Sequence, residues 1–185
     1  YNKGIQNRTI RKLCLKYILH ISCGNFIYHS ASRYSFLIFN LLLDTVLYLD
    51  LEADAKTKKV NEIAVVYGSK EYRGKEISAV NQWITDADFI CGHNIIEHDL
   101  PIIESNFHLN FNGKHLIDTL LWSPLLFPSK PYHSLSKSYK AYSHRDENNP
   151  ILDSKIAAEY LHDFVIQFSE LEIKWQSLLF KLLEN

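Results

Sequence analysis

The run Val46-Leu47-Tyr48-Leu49-Asp50-Leu51-Glu52 restricts this chain more than any other stretch. Apolar residues occupy nearly every position, which suits a central strand covered on both faces. Asp50 and Glu52 interrupt that run at alternate positions, so in a strand they project from one face while Leu49 and Leu51 point to the other. Two like charges side by side raise each other's pKa and weaken the strand unless water screens them or a cation sits between them. An exposed edge strand would supply the water, but the apolar flanks argue for a covered one. A carboxylate pair at the end of a covered strand suggests a divalent cation of the kind that takes oxygen ligands, magnesium or manganese.

The rest of the acidic part of the chain has the rhythm of an α/β domain. A strand over 45–52 is followed by a second over 61–67 and a short polar third over 71–73, with Gly68 at the intervening turn and Gly74 at the close. A helix over 77–85 leads to a fourth strand over 88–92, a helix over 94–106 and a fifth strand over 115–119. Short helical spacing returns over 134–141, and one or two helices fill 150–182. Three strands in hairpin succession followed by alternating helix and strand predict a mixed central sheet of about five strands flanked by helices.

The length of 185 residues is about that of one domain with a real core. Charge is unevenly spread: residues 1–44 carry six Lys or Arg against the single acid Asp44, and residues 45–185 carry fourteen against twenty. The division expected is therefore a basic N-terminal extension over 1–44 and a domain over 45–185. Within the extension, residues 5–21 set Ile5, Ile10, Leu13, Leu15, Ile18 and Ile21 against Arg8, Arg11, Lys12 and Lys16, a basic amphipathic segment. Cys14, Cys23 and Cys91 have no paired spacing, which fits unpaired thiols in a reducing compartment. The longest apolar run, near Phe36 to Leu43, is broken by Asn40 and is too short for a bilayer; Lys16 and His20 break the only stretch resembling a signal peptide. A cytoplasmic protein without a membrane partner is expected. No methionine occurs, even at position 1, which fits either a piece of a longer protein or a chain that has lost residues from its ends.

Two further acids stand in defined contexts. In "CGHNIIEHDLPIIE", residues 91–104, Gly92 ends an apolar strand, Asn94 is placed to cap the next helix, and Asp99 lies inside it. In "NNPILDSKIAAEYL", residues 148–161, Pro150 suits the first turn of a helix, Asp153 follows, and Ile156, Ala157 and Tyr160 form the packing face. Taken in order, Asp50 and Glu52 on the first strand, Asn94 and Asp99 after a later strand, and Asp153 in a late helix resemble the DEDD-type 3′-to-5′ exonucleases of ribonuclease H-like fold. The spacing of Asn94 to Asp99 and the trailing Leu-Pro resemble the proofreading domain of family-B DNA polymerases. "HLIDTLLWSPLLF", with Asp118 and Thr119, is similar to the family's fifth-strand segment, and "YHSLSKSY" to the helix before its last motif. "NNPILD" resembles the exonuclease-like domain fused to bacterial RecQ-type helicases.

The resemblance covers about residues 45–168 and implies a ribonuclease H-like α/β fold. It implies Asp50, Glu52, Asp99 and Asp153 as both catalytic residues and metal ligands for two Mg²⁺ or Mn²⁺ ions, in the two-cation arrangement with a spacing of about 3.5–4 Å. Asp50 would bridge both ions, Glu52 and Asp153 would hold the first, and Asp99 the second. Asn94 and Leu51 are the implied substrate contacts. The implied substrate is a nucleic-acid 3′ end, single-stranded DNA ahead of RNA, and the implied partner a fused or associated helicase domain. The family's general base falls where this chain has Asn148 and Asn149, which can orient water but cannot take its proton; His144 is the nearest histidine. His98 is expected to pack as an aromatic would, and His93 to be structural. A non-catalytic module that binds nucleic acid or a partner protein is the competing expectation.

Overall fold

The computed structural model describes residues 43–135 and 149–183. Residues 43–161 form one compact unit; 162–183, the end of one helix and the whole of the next, group apart from it, where the charge pattern kept 45–185 in one domain. The sheet belongs to the first unit. Its strands are β1 (Val46–Ala53), β2 (Val60–Tyr67), β3 (Lys70–Gly74), β4 (Phe89–Gly92) and β5 (His115–Asp118). They lie in the order β3-β2-β1-β4-β5, with β1 antiparallel to β2, β2 antiparallel to β3, and β4 and β5 parallel to β1. The expected mixed five-stranded α/β sheet flanked by helices is what forms.

The alternation read in β1 explains why it sits centrally. Leu47, Leu49 and Leu51 join Ile63, Val65 and Ile90 in one buried cluster on one face. Each fully buried side chain of this size contributes roughly 1.5–3 kcal/mol. Val46 and Tyr48 are buried on the other face, and Asp50 and Glu52 continue that row, partly exposed. Leu51 was an implied substrate contact, but the same alternation sends its side chain into the core, away from Asp50, so it is a packing residue. Gly92 ends β4 where no side chain fits, since a Cβ there would lie 2.7 Å from the Leu49 carbonyl oxygen.

The helices differ from expectation in three places. The stretch over 77–85 is a 3₁₀ turn, Ile77–Ala79, followed by α1 (Asn81–Asp86). The segment after β4 is not one helix: a wide π turn, Ile95–Asp99, precedes α2 (Leu100–Phe107). Pro101 accounts for the change, because its ring lacks an N–H and crowds the carbonyl four residues back, which suits the first turn of a new helix and not the interior of an old one. Immediately after β5, α3 (Thr119–Leu126) forms where strand-like apolar residues gave no sign of it. Asp118 starts that helix by accepting the Leu120 N–H, and propensity yields to the cap. Of the predicted helix over 134–141, residues 134 and 135 are not helical and the remainder lies outside the described residues.

The last two helices are α4 (Pro150–Glu170) and α5 (Ile173–Leu183). Ile156, Ala157 and Tyr160 are buried, as their spacing predicts. Asn149 caps α4 through its carboxamide oxygen, which accepts the Leu152 N–H at 3.4 Å and Arg73 Nη1 at 3.2 Å. Lys155 pairs with Glu71 at 2.8 Å, and Tyr160 stacks on His93. These contacts tie the first three turns of α4 to β3 and to the loop after β4, on the sheet face that carries Asp50. No helix among the described residues is long and apolar enough to cross a membrane. The basic segment over 5–21, and with it Cys14 and Cys23, lies outside the described residues; Cys91 is buried as a free thiol in β4.

Candidate metal centre

Parallel β4 pairs with β1 only over Val46–Tyr48, so Asp50 and Glu52 extend beyond the last residue of that pairing. A bulge between Glu52 and Ala53 ends the regular register with β2. Such irregularities redirect side chains at the end of a strand. The carboxyl ends of β1, β4 and β5 thus share one edge of the sheet, where the chain turns away in different directions and open α/β sheets commonly leave a crevice.

At that edge Asp50, Glu52 and Asp153 offer carboxylate oxygens that all lie within 4.8 Å of one another. The three are partly exposed, and the donor set is all oxygen. Sequence order had joined them only by resemblance; α4 brings Asp153 to the other two across about a hundred residues of chain.

Asp99, at the end of the π turn, is only 2% exposed. Burial first, then the charges of Asp118 and Glu52, push its carboxyl up from the ordinary range to about 8. The sensitivity to Glu52 places it within electrostatic reach of that one member of the three. Its Oδ1 lies 2.7 Å from His98 Nδ1, so one proton lies between the two atoms. Its Oδ2 is buried with no hydrogen-bond partner among the described residues. A buried oxygen of this kind costs roughly 1–3 kcal/mol unless a ligand meets it. His98 therefore does not pack as an aromatic would: its side chain is 44% exposed and hydrogen-bonded.

Asp118 was noted only as part of a similar segment, yet it organises the edge. Its Oδ1 accepts the Asn94 and Leu120 N–H groups, each at 2.9 Å, and its Oδ2 accepts the Ile96 N–H at 3.1 Å. The Asn94 and Ile96 donors hold the π turn that carries Asp99, and the Leu120 donor belongs to the start of α3. Asn94 does not cap with its side chain; it adopts the left-handed backbone conformation, φ 61, which asparagine tolerates, and it contributes its N–H instead. His93 is structural as expected: Nδ1 lies 2.9 Å from the Thr119 hydroxyl, which donates to the Gly92 carbonyl at 3.2 Å. Burial lowers its pKa, against the opposing charge of Asp118.

The residues at the place of a general base divide. Asn149 is described, with its carboxamide oxygen engaged in capping, whereas Asn148 and His144 lie outside the described residues. The signal for the Asp118 role was the Asp-Thr step from strand into helix, a capping pattern. His98 carried no signal beyond its adjacency to Asp99.

No protein-family model matches this chain, and none of the curated proteins or solved structures compared with it is a match.

Proposed function

We propose that the chain is a divalent-metal-dependent 3′-to-5′ exonuclease of ribonuclease H-like fold, acting on single-stranded nucleic acid and on DNA ahead of RNA. The observation that carries this reading is the convergence of Asp50, Glu52 and Asp153 within 4.8 Å at the carboxyl edge of the sheet. The strand order β3-β2-β1-β4-β5 is compatible with that fold. The residues fit Mg²⁺ or Mn²⁺: an all-oxygen donor set, partly exposed, with the buried Asp99 Oδ2 alongside. Asp50, Glu52 and Asp153 would hold an ion, with Asp99 the candidate for a second. Bound there, divalent cations supply Lewis acidity toward a phosphodiester and toward the water that attacks it.

The chain's own part is positional. Asp118 holds the π turn, the Asn149 cap and the Arg73 contact hold the start of α4, and together they keep the carboxylates at one edge. Asp50 and Glu52 repel each other and Asp153 until a cation arrives, so the arrangement favours loading. Asn94, held by its N–H on Asp118 at the same edge of the sheet, is the candidate contact for the terminal nucleotide.

A strand labelled at its 5′ end, incubated with Mn²⁺, Mg²⁺ or a chelator, tests the reading. Stepwise shortening that needs metal supports it, and RNA of the same sequence reports the sugar preference. A second reading, a non-catalytic module that binds nucleic acid or a partner such as a helicase domain, has one observation in its favour. The oxygen of Asn149, at the place of the base, is already engaged by Arg73 and the helix N-terminus. Binding of the strand without cleavage under any metal selects that reading.

A further inference from the structure

Resting on the proposed metal-dependent function, the contact between His98 and Asp99 bears on how many ions the site takes. Asp50, Glu52 and Asp153 present their oxygens to one another, and Asp99 is not among the three. One Asp99 oxygen is instead hydrogen-bonded to His98, whose side chain is nearly half exposed. The other oxygen is buried and unmet among the described residues, within reach of the Glu52 charge.

A carboxylate can serve a cation with either oxygen, but the carboxyl group turns as a unit. While His98 holds Oδ1, it sets the direction of Oδ2 as well. To turn toward a cation, Asp99 must give up a hydrogen bond in a buried setting, where an unmade bond is costly. Groups behind a metal ligand commonly tune its affinity in this way. The neighbouring acids do not offer a substitute: Asp118 has both oxygens on backbone N–H groups.

We propose that His98 latches Asp99, so that the chain holds one divalent ion at Asp50, Glu52 and Asp153 and admits a second only when the latch opens. His98 is then a positioning residue that regulates ion count, acting through Asp99 and not on the substrate. Loss of a hydrogen bond of this strength corresponds to a second ion bound on the order of ten- to a hundredfold more weakly than the first.

Titration of the chain with Mn²⁺ alone at fixed pH, followed by calorimetry and by the paramagnetic signal of free Mn²⁺, counts the ions without recourse to activity. The parent should take one ion tightly and a second with the weaker affinity stated. His98→Ala, at a half-exposed position that leaves the fold intact by thermal melting, should bring the two affinities within a few-fold of each other. His98→Asn keeps a donor near the Nδ1 position and should behave as the parent does. Asp99→Asn should lose the second ion and keep the first. Two ions of equal affinity in the parent, an unchanged gap in His98→Ala, or a His98→Asn protein that behaves like His98→Ala would each overturn the latch. Uptake of no ion by any of these proteins, with Asp50→Asn as the blank, would instead bring down the metal-dependent function on which the latch rests.

Discussion

Asp99 and Asp118 are buried to the same degree at the same edge of the sheet, and they use their oxygens in opposite ways. Asp118 gives both to three backbone N–H groups and so fastens the turn after β4 to the start of α3. Asp99 gives one to His98 and leaves the other unmet among the described residues, with the carboxyl group within reach of the Glu52 charge. Burial alone does not separate a structural acid from a functional one. What separates them is whether the fold satisfies the lone pairs: a satisfied carboxylate stabilises the chain, whereas an unsatisfied one costs stability and is ready for a ligand.

The contrast breaks most visibly at Asp50. Asp50→Asn should reduce cleavage by more than the roughly 10–100-fold that loss of a group behind a metal ligand causes. Its melting temperature should be unchanged or raised, because a charge is removed from a repelling cluster. Normal turnover in this variant, measured on a labelled strand, would mean that Asp50 holds no ion. Asp118→Ala should show the reverse pattern, a loss of roughly 3–5 kcal/mol in urea unfolding as three buried donors lose their acceptor. A loss below about 1 kcal/mol would show that the two acids are not different in kind.

The pH dependence sharpens the comparison further. In chelator, the folded chain keeps a proton on Asp99 up to about 8, while the unfolded chain releases it near the ordinary value of 3.8. The native state therefore binds more protons across that interval, and stability falls as pH rises from about 4 to about 8. The expected loss is a few kcal/mol, and Asp99→Asn should flatten the curve. Denaturant midpoints across pH, for parent and variant, check the sign. The smallest effect is that of the ion itself: Mn²⁺ at a hundred times its dissociation constant should restore about 2.7 kcal/mol to the parent and nothing to Asp50→Asn.

Much of this was legible because it is local. The two faces of β1 follow from alternation, so the core role of Leu47 and Leu49 and the shared direction of Asp50 and Glu52 could be read directly. The same rule already placed Leu51 in the core, although the resemblance offered it as a substrate contact. Ile156, Ala157 and Tyr160 declared a buried helix face by their spacing. The break at Pro101 and the helix from Thr119 were less legible, since each depends on one local interaction, a ring clash or a cap, that outweighs the average propensity of its neighbours. His98 was expected to pack as an aromatic would, and instead it is half exposed and hydrogen-bonded to Asp99 within the π turn.

By itself, the sequence determined which residues share a face, since periods of two in strands and 3.6 in helices are properties of the backbone. It also determined where acids interrupt apolar runs. Tertiary structure alone decided that Asp153 meets Asp50 and Glu52, and that the Asp118 oxygens meet the backbone of Asn94 and Ile96 while one Asp99 oxygen stays unmet among the described residues. Those meetings depend on strand order, on where β4 stops pairing with β1 and on how α4 is tied down at Asn149 and Tyr160. Each is a contact between distant parts of the chain, selected by the packing of the whole sheet and encoded in no single segment.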